Sequence, residues 1–379
     1  MRIIFDGRVI QDHFPGIGRY AYNLLRALPA QLSADDDVLA WRDPQALNTR
    51  YDWQPLLDLG IGVADTSIPL FGLANLLHPP PAPIATMGGT IAHFAYYMRP
   101  WRMNLPTVTT IHDVISLAVP QLFPSARTRV AIWLIHWLVI RASRAIITVS
   151  QSAASDIARY YPSALRKLHV VYEAADAGFT PQSAERIAHV RQQYDLPEHF
   201  AFFLASNKPH KNLVQLVEAW HILPANCAHT LIVAGHQDAR YNEAQARASE
   251  LGMHERVRFV GDIPNADLPA FYSACDLFVY PSLYEGFGLP PLEAMACGAP
   301  VACSNASSLP EVVADAGLLF DPLRAEDIAA AVQRVLSDAG LQRAMSALSL
   351  ARASHFTWEN TARATMQIYR EAAAQDKQA

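Results

Sequence analysis

Between residues 200 and 340, short and largely apolar runs alternate with segments of helical period. The runs are FAFFLA (200–205), TLIVAG (230–235), VRFVG (257–261), LFVYPS (277–282), PVACS (300–304) and GLLFD (317–321). The segments between and after them read NLVQLVEAWHIL, NEAQARASELG, LPAFYSAC, PPLEAMACG, LPEVVADA and EDIAAAVQRVLSDAG. A strand that is apolar at every position has both of its faces covered, and amphipathic helices between strands supply the cover. The pattern therefore predicts a doubly wound α/β domain built on a parallel sheet.

The first half repeats this scheme less cleanly. RIIFDGR (2–8), TIAHF (90–94), TVTTIHD (107–113), AIITVS (145–150) and LHVVY (168–172) read as strands, and helices are expected at 19–27, 127–143 and 151–161. Segment 43–89 is proline-rich, ends near HPPPAP and shows no period. A chain of 379 residues exceeds the ~250–300 at which one core stops growing, so two domains are expected. Residues 173–198 carry no strand pattern and read as the hinge. The division is then 1–175 for an N-terminal Rossmann-like domain, 176–355 for a C-terminal one, and 356–379 for a final helix. In that helix Thr357 is the expected N-cap, and Trp358, Ala362, Met366 and Tyr369 share one face.

Composition narrows the class. Hydrophobic residues make up 51% and charged residues 17%, below the typical ~25% charged, which predicts large buried sheets and excludes disorder. A net charge of −5 gives no whole-molecule basic field, so no nucleic-acid partner is expected. The four cysteines, Cys227, Cys275, Cys297 and Cys303, form no C-x-x-C pair. They read as buried free thiols of a reducing compartment rather than a disulfide or zinc framework. The opening MRIIFDGRVI meets Asp6 too early for a signal peptide. The longest apolar run, VAIWLIHWLVI (130–140), carries His136 and falls short of the ~18–20 residues of a membrane span. A cytoplasmic protein is expected, soluble or lying on a membrane.

The chemistry concentrates in residues 280–298, YPSLYEGFGLPPLEAMACG. A strand ends there, a loop with Gly286 and Gly288 follows, and Pro290 and Pro291 open a helix where proline is tolerated. A strand end feeding a helix N-terminus is where open α/β sheets bind phosphates. Glu285 lies in the loop and Glu293 in the expected first turn of the helix. A diphosphate would repel both carboxylates, so their partners are expected to be the vicinal hydroxyls of a sugar and a ribose.

Within PSLYEGFGLPPLEAMACGAPV this E-x7-E pair resembles that of the retaining GT-B glycosyltransferases of the family-4 type. LPEVVADAGLLFDP (309–322) and FTWENTA (356–362) resemble flanking motifs of the same family. The resemblance implies two Rossmann-like domains facing across a cleft, with the last helix packing back on the N-terminal domain. It assigns Glu285 to the donor sugar, Glu293 to the nucleotide ribose, and the Gly286, Phe287, Gly288, Leu289 stretch to donor binding. Lys211, in LASNKPHKN (204–212), corresponds to a lysine that pairs with the donor diphosphate. Family members also carry an arginine where this chain has Ala205 and Ser206, and Lys208 is the candidate replacement. Gly16 and Gly18 match a glycine-rich loop facing the donor. His112 matches a histidine at the reaction centre, with Asp113 either functional or ordering the next loop. Gly261-Asp262-Ile263 matches a backbone stretch under the nucleotide base, with Ile263 the contact.

With His112, Lys211 and Glu285 as the catalytic set, the implied reaction moves a hexose of mannose or glucose type from a nucleoside-diphosphate sugar. The acceptor is a hydroxyl of a glycan or lipid-linked glycan, the linkage α, and no metal or cofactor takes part. GDP-mannose and the synthesis of a surface polysaccharide such as lipopolysaccharide are the favoured instances. Trp133 and Trp137, with Arg127, Arg129, Arg141 and Arg144 around them, and Trp101 between Arg99 and Arg102, suit peripheral contact with the inner membrane surface. The alternative for that region is a buried helix with charged ends. The aromatics of AHFAYYMRPW line an acceptor cleft or fill core.

Other classes compete. Residues 16–21 satisfy the G-x-G-x-x-G/A fingerprint of NAD-dependent dehydrogenases, but ten residues separate Phe5 from Gly16, whereas the fingerprint follows its strand directly. A GT-B fold kept only for nucleotide-sugar binding, and a GT-B epimerase or phosphorylase, are the remaining readings.

Overall fold

The computed structural model describes residues 1–66, 68, 70, 88–100, 103–122 and 125–374. The chain divides into two compact units, Met1–Glu173 with Thr357–Ala379, and Ala174–Phe356.

Among the described residues, the first unit holds the strands β1 (Arg2–Asp6), β2 (Asp37–Arg42), β3 (Gly62–Asp65), β4 (Ile91–Phe94), β5 (Thr107–Thr110), β6 (Ala145–Thr148) and β7 (Leu168–Val170). They form one parallel sheet in the order β3-β2-β1-β4-β5-β6-β7. The order reverses between β1 and β4, which makes that strand pair the topological switch point. The helix after β1 spans Pro15–Ala27, four residues earlier than its apolar period suggests. Pro15 opens it with a pre-set φ and no donor to leave unpaired. Gly16 and Gly18 therefore lie inside the helix rather than in a loop before it. A Cβ on Gly18 would stand 2.8 Å from the Val9 carbonyl oxygen, so glycine lets the first turn seat on the chain leaving β1.

The edge strand β3 and its neighbour β2 were not legible in the sequence. The patternless segment also contains a short helix, Gln54–Asp58, while HPPPAP, Trp101 and Arg102 lie outside the described residues. The final helix, Trp358–Ala374, is capped by Thr357, whose Oγ1 accepts from the Asn360 N–H at 3.1 Å. It buries Ala362, Met366 and Tyr369 in the first unit's core. The Tyr369 hydroxyl meets His93 Nδ1 at 2.5 Å, and His93 Nε2 meets Thr110 Oγ1 at 2.8 Å. Burial, and then the charge of His112, push His93 down to about 3, so a neutral and fully hydrogen-bonded imidazole ties the helix to the sheet.

The second unit has the order β10-β9-β8-β11-β12-β13, with β8 Phe200–Leu204, β9 Thr230–Ala234, β10 Val257–Gly261, β11 Leu277–Tyr280, β12 Val301–Ser304 and β13 Gly317–Phe320. Each apolar run of the sequence becomes one of these parallel strands. The aromatics Phe202, Phe271, Tyr272, Phe278 and Tyr280 pack together against β8 and β11. Gly235, at φ +113, brings β9 so near the next strand's exit that a Cβ would stand 2.1 Å from the Ala205 carbonyl oxygen.

The stretch read as a hinge is mostly part of the second unit. The division falls at its start, between Glu173 and Ala174, and Ala184–Gln193 is a helix capped by Ser183. Arg191 donates to the Ala274 carbonyl at 2.9 Å, Tyr194 donates to Asp267 at 2.7 Å, and Arg186 pairs with Asp267. Val190 is the helix's one buried residue, so its hold is polar and its hydrophobic period is faint.

Cys275, Cys297 and Cys303 are buried free thiols, whereas Cys227 is only half-buried. Among the described residues no helix is long and apolar enough to cross a membrane. The helix Ala126–Ala142 buries His136, Val139 and Ile140 on one side. It leaves Val130, Trp133 and Leu134 exposed at 64%, 40% and 46%, so it is not a wholly buried helix with charged ends.

Candidate active site

β8 and β11 are neighbours at the switch point of the second sheet, so the loops that leave their carboxyl ends face each other. The β8 loop closes in a 3-10 turn, Pro209–Lys211, and Asn212 adopts a left-handed conformation at φ 60°. Asn212 can hold it because its side-chain amide donates to the Pro281 and Pro322 carbonyls at 3.1 and 2.7 Å. The turn aims Lys211 at the β11 loop. Its ammonium donates to Glu285 Oε1 at 2.6 Å and to the Tyr280 hydroxyl at 3.1 Å.

Both members of this ion pair are largely enclosed, at 15% and 13% side-chain exposure. Burial acts to raise the Glu285 carboxyl, but the Lys211 charge and hydrogen bond outweigh it and Ser282 adds a further donor. The group therefore titrates below the ordinary glutamate range. Burial and then the Glu285 charge hold the Tyr280 phenol protonated. Burial and then the Lys211 charge lower His210 to about 4. At neutral pH the pair is thus one ammonium against one carboxylate, with Tyr280 and His210 uncharged beside it.

The loop that carries Glu285 is fixed from the chain after β12. Ser307 Oγ donates to the Glu285 carbonyl at 2.6 Å and Ser308 Oγ to the same oxygen at 3.0 Å. Ser308 also bonds the Phe287 carbonyl. Gly288 then caps the helix Leu289–Ala296 at φ +120, a conformation closed to most side chains. A Cβ there would also stand 2.8 Å from Leu309 Cδ2. The Phe287 ring turns inward onto Phe356 at 5.8 Å, which leaves its backbone as the part beside Gly286. Leu289 is half-buried at the helix start. Glu293 is the fifth residue of this helix, in the second turn rather than the first, because the helix begins at Leu289. It is 1% exposed and accepts from the Tyr272 hydroxyl at 3.2 Å.

The remaining candidates of this unit lie in the loops after β8 and β10. Lys208 is exposed at the head of the 3-10 turn, and its carbonyl accepts from the Lys211 N–H at 2.9 Å. Ile263 is nearly buried, two residues beyond Gly261, whose carbonyl accepts from Gly235 N–H at 2.8 Å.

In the first unit, His112 follows β5 and lies edge-on to the Tyr20 ring at 4.8 Å. Its Nδ1 is 3.1 Å from Glu173 Oε1 and its Nε2 3.1 Å from the Ala95 carbonyl oxygen. Asp113 Oδ1 accepts from the Ile115 N–H at 2.9 Å and so orders the next turn. Gly18 is buried, and Gly16 is exposed with open space where a Cβ would be.

Sequence reasoning missed Tyr280, Ser282, Ser307, Ser308, Tyr272 and Glu173. The serine pair in SNASSLPE just before a helix was a usable signal. Glu173 carried none, because its partner is 61 residues away.

The Glycosyltransferase Family 4 model matches residues 15–179, and the Glycosyl transferases group 1 model matches residues 186–349. The chain is 32% identical over 382 residues to O-antigen chain mannosyltransferase B of Escherichia coli, covering 98% of this chain and 100% of that one. It is 34% identical over 269 residues to the E. coli serotype-specific mannosyltransferase WbdA, covering 69% of this chain and 32% of WbdA, about a third of its length. In fold it resembles sucrose-phosphate synthase from Thermosynechococcus elongatus, with a TM-score of 0.78, 23% identity and coverage of 99% and 100%. It also resembles Anabaena HepE in complex with UDP and glucose, with a TM-score of 0.73, 20% identity and full coverage of both chains. Two parallel Rossmann-like sheets of this order make the fold that of the GT-B glycosyltransferases. The chain belongs to glycosyltransferase family 4.

Proposed function

We propose that this glycosyltransferase is a retaining mannosyltransferase, moving mannose from GDP-mannose to a hydroxyl of a lipid-linked surface glycan. The linkage formed is α and the transfer needs no metal ion. The observation that carries this reading is the Lys211–Glu285 pair at the switch point of the second sheet. The names of the E. coli relatives, an O-antigen chain mannosyltransferase and a serotype-specific mannosyltransferase, support the choice of sugar and acceptor class.

Before the donor binds, the Lys211 ammonium is balanced by Glu285. A diphosphate at the switch point takes over the ammonium, which then meets the charge that develops on the leaving group. The backbone N–H groups of 286–289, at the start of the helix Leu289–Ala296, add fixed positive potential. Glu285, released from its partner, accepts hydrogen bonds from sugar hydroxyls, and Glu293 accepts from the ribose. His112 takes the role at the donor sugar that the family resemblance gives it. The acceptor oxygen attacks the anomeric carbon from the face that the diphosphate leaves. The bond to the diphosphate breaks, and a diphosphate oxygen takes the acceptor's proton. No covalent glycosyl-enzyme forms. The protein works at the cytoplasmic face of the membrane, resting on the exposed apolar and basic side of the helix Ala126–Ala142.

The test is transfer from radiolabelled GDP-mannose, UDP-glucose and UDP-galactose to lipid-linked oligosaccharide in the presence of chelator, with the product anomer assigned by NMR. An α-mannosyl product is expected. A β product would overturn retention, and use of a UDP sugar would replace the donor. Nucleotide binding with no transfer would leave a binding protein.

A further inference from the structure

Three residues at the other end of the second sheet point to a metal site. His199 immediately precedes β8, His229 immediately precedes β9 and Asp276 immediately precedes β11. These strands are adjacent in the order β9-β8-β11, with Phe200 opposite Thr230 and Ala201 opposite Leu277. Parallel pairing in that register brings the three preceding residues side by side. The Lys211–Glu285 pair lies beyond the opposite strand ends, ~16 Å away along a five-residue strand.

The geometry suits a cation better than direct hydrogen bonds. His199 Nδ1 is 3.5 Å and His229 Nε2 is 3.6 Å from the same oxygen, Asp276 Oδ2. Both distances exceed the 2.7–3.2 Å of an N–H···O bond, yet both rings turn a nitrogen toward that one oxygen. One ligand atom from each residue lies within 4.8 Å of the others. Four-coordinate zinc, with bonds of ~2.0–2.2 Å, sets its ligand atoms roughly 3.3–3.6 Å apart, so two of the three separations already fit. The third closes by rotation of His199, whose side chain is 52% exposed.

The supporting contacts hold the ligands in place. The Phe200 N–H donates to Asp276 Oδ2 at 3.0 Å, and the Asp276 N–H donates to the Phe200 carbonyl at 2.9 Å. Cys227 Sγ lies 4.0 Å from His229 Nδ1, the nitrogen turned away from the carboxylate. A partner on the second nitrogen is what fixes the orientation of a metal-binding imidazole. Two imidazoles and one carboxylate select borderline transition ions over calcium or magnesium.

We propose that His199, His229 and Asp276 bind one Zn²⁺, with water completing its coordination. The ion pins the starts of three adjacent strands and takes no part in transfer.

Untagged full-length protein, stripped with a chelator, is titrated with Co²⁺ by visible absorption and with Zn²⁺ against a chromophoric chelator. One equivalent is expected to bind, with ligand-field bands of a low-coordinate cobalt site, and Zn²⁺ is expected to raise the melting midpoint. Affinity falls at least tenfold in His199→Ala and Asp276→Asn and is unchanged in His221→Ala and His254→Ala, which remove exposed histidines elsewhere in the unit. Asp276 also holds the Phe200 N–H, so if its variant fails to fold the half-exposed His199→Ala decides alone. Absence of binding, or equal affinity in wild type and His199→Ala, would overturn the site.

Discussion

Glu173 Oε1 and the Ala95 carbonyl oxygen approach opposite nitrogens of the His112 ring, each at 3.1 Å. Both are acceptors, so a neutral ring can donate to only one of them, and bonding both would need one further proton, on the ring or on Glu173. Glu173→Gln removes the need for that proton, because the amide N–H₂ donates to a bare Nδ1. The variant is expected to keep its melting midpoint within a few degrees. Its kcat is expected to fall by about tenfold, the equivalent of ~1.4 kcal/mol, and the His112 NMR resonances should move to the neutral pattern. Unchanged kcat and resonances would show that the extra proton is absent.

Breaking the Lys211–Glu285 pair has a second, pH-dependent signature. Lys211→Met strands an enclosed carboxylate, which costs about 3–5 kcal/mol, and removes the cation assigned to the diphosphate. The folded-state carboxyl lies below its ordinary value. The pair's contribution is therefore complete above the unfolded value of about 4.3 and is lost as pH falls through the folded one. Urea denaturation from pH 7 to pH 3 should show the gap between wild type and Lys211→Met narrowing in acid. A gap of constant size would mean that the carboxylate charge is not what Lys211 stabilises.

The second unit's strands could be read from the sequence because most are apolar at nearly every position, the pattern of a sheet covered on both faces. β2 and β3 could not. They are the outer two strands on one side of the sheet, begin or end on Asp37, Arg42 or Asp65, and owe their place to the pairing of β2 with β1 and of β3 with β2. The helix Ala184–Gln193 stayed hidden for a related reason, since its hold on the unit is polar and comes from Arg186 and Arg191. At the site, the sequence named Lys211 and Glu285 but gave each a separate part of the donor. Their contact spans 74 residues and exists only because β8 and β11 are neighbours. The serines that fix the Glu285 loop, and Glu173 beside His112, act through contacts that no local spacing records.

Glu293 supplies a test of nucleotide recognition separable from chemistry. The Tyr272 hydroxyl donates to one of its oxygens, and the proposed function gives the carboxylate to the ribose. Glu293→Ala loses charged hydrogen bonds worth about 1.5–3 kcal/mol, and GDP affinity measured by calorimetry should fall ~10- to 100-fold. Tyr272→Phe removes only the orienting bond and should cost a few-fold. Equal losses in both variants would assign Glu293 an orienting role instead of a direct one.

The exposed side of the helix Ala126–Ala142 combines Val130, Trp133 and Leu134 with the exposed arginines Arg127 and Arg141. On an anionic bilayer each arginine near the surface contributes roughly 1 kcal/mol, a term screened within about 10 Å at 0.1 M salt. The apolar side chains contribute a part that salt does not remove. Vesicles containing phosphatidylglycerol should therefore sediment the protein at low salt and still retain a fraction of it at 0.5 M. Trp133→Ser combined with Leu134→Ser should abolish the salt-resistant fraction, while Arg127→Gln with Arg141→Gln should abolish the salt-sensitive one. The arginines are exposed, so that pair should keep its melting midpoint, whereas Trp133 also stacks on Tyr161 at 6.2 Å and the serine pair is compared at a temperature below its own midpoint. If the helix serves the acceptor's membrane and not the reaction, the first pair slows transfer to lipid-linked glycan in vesicles but not to the same glycan free in solution. Equal slowing on both acceptors would place these side chains in the folding or chemistry of the unit.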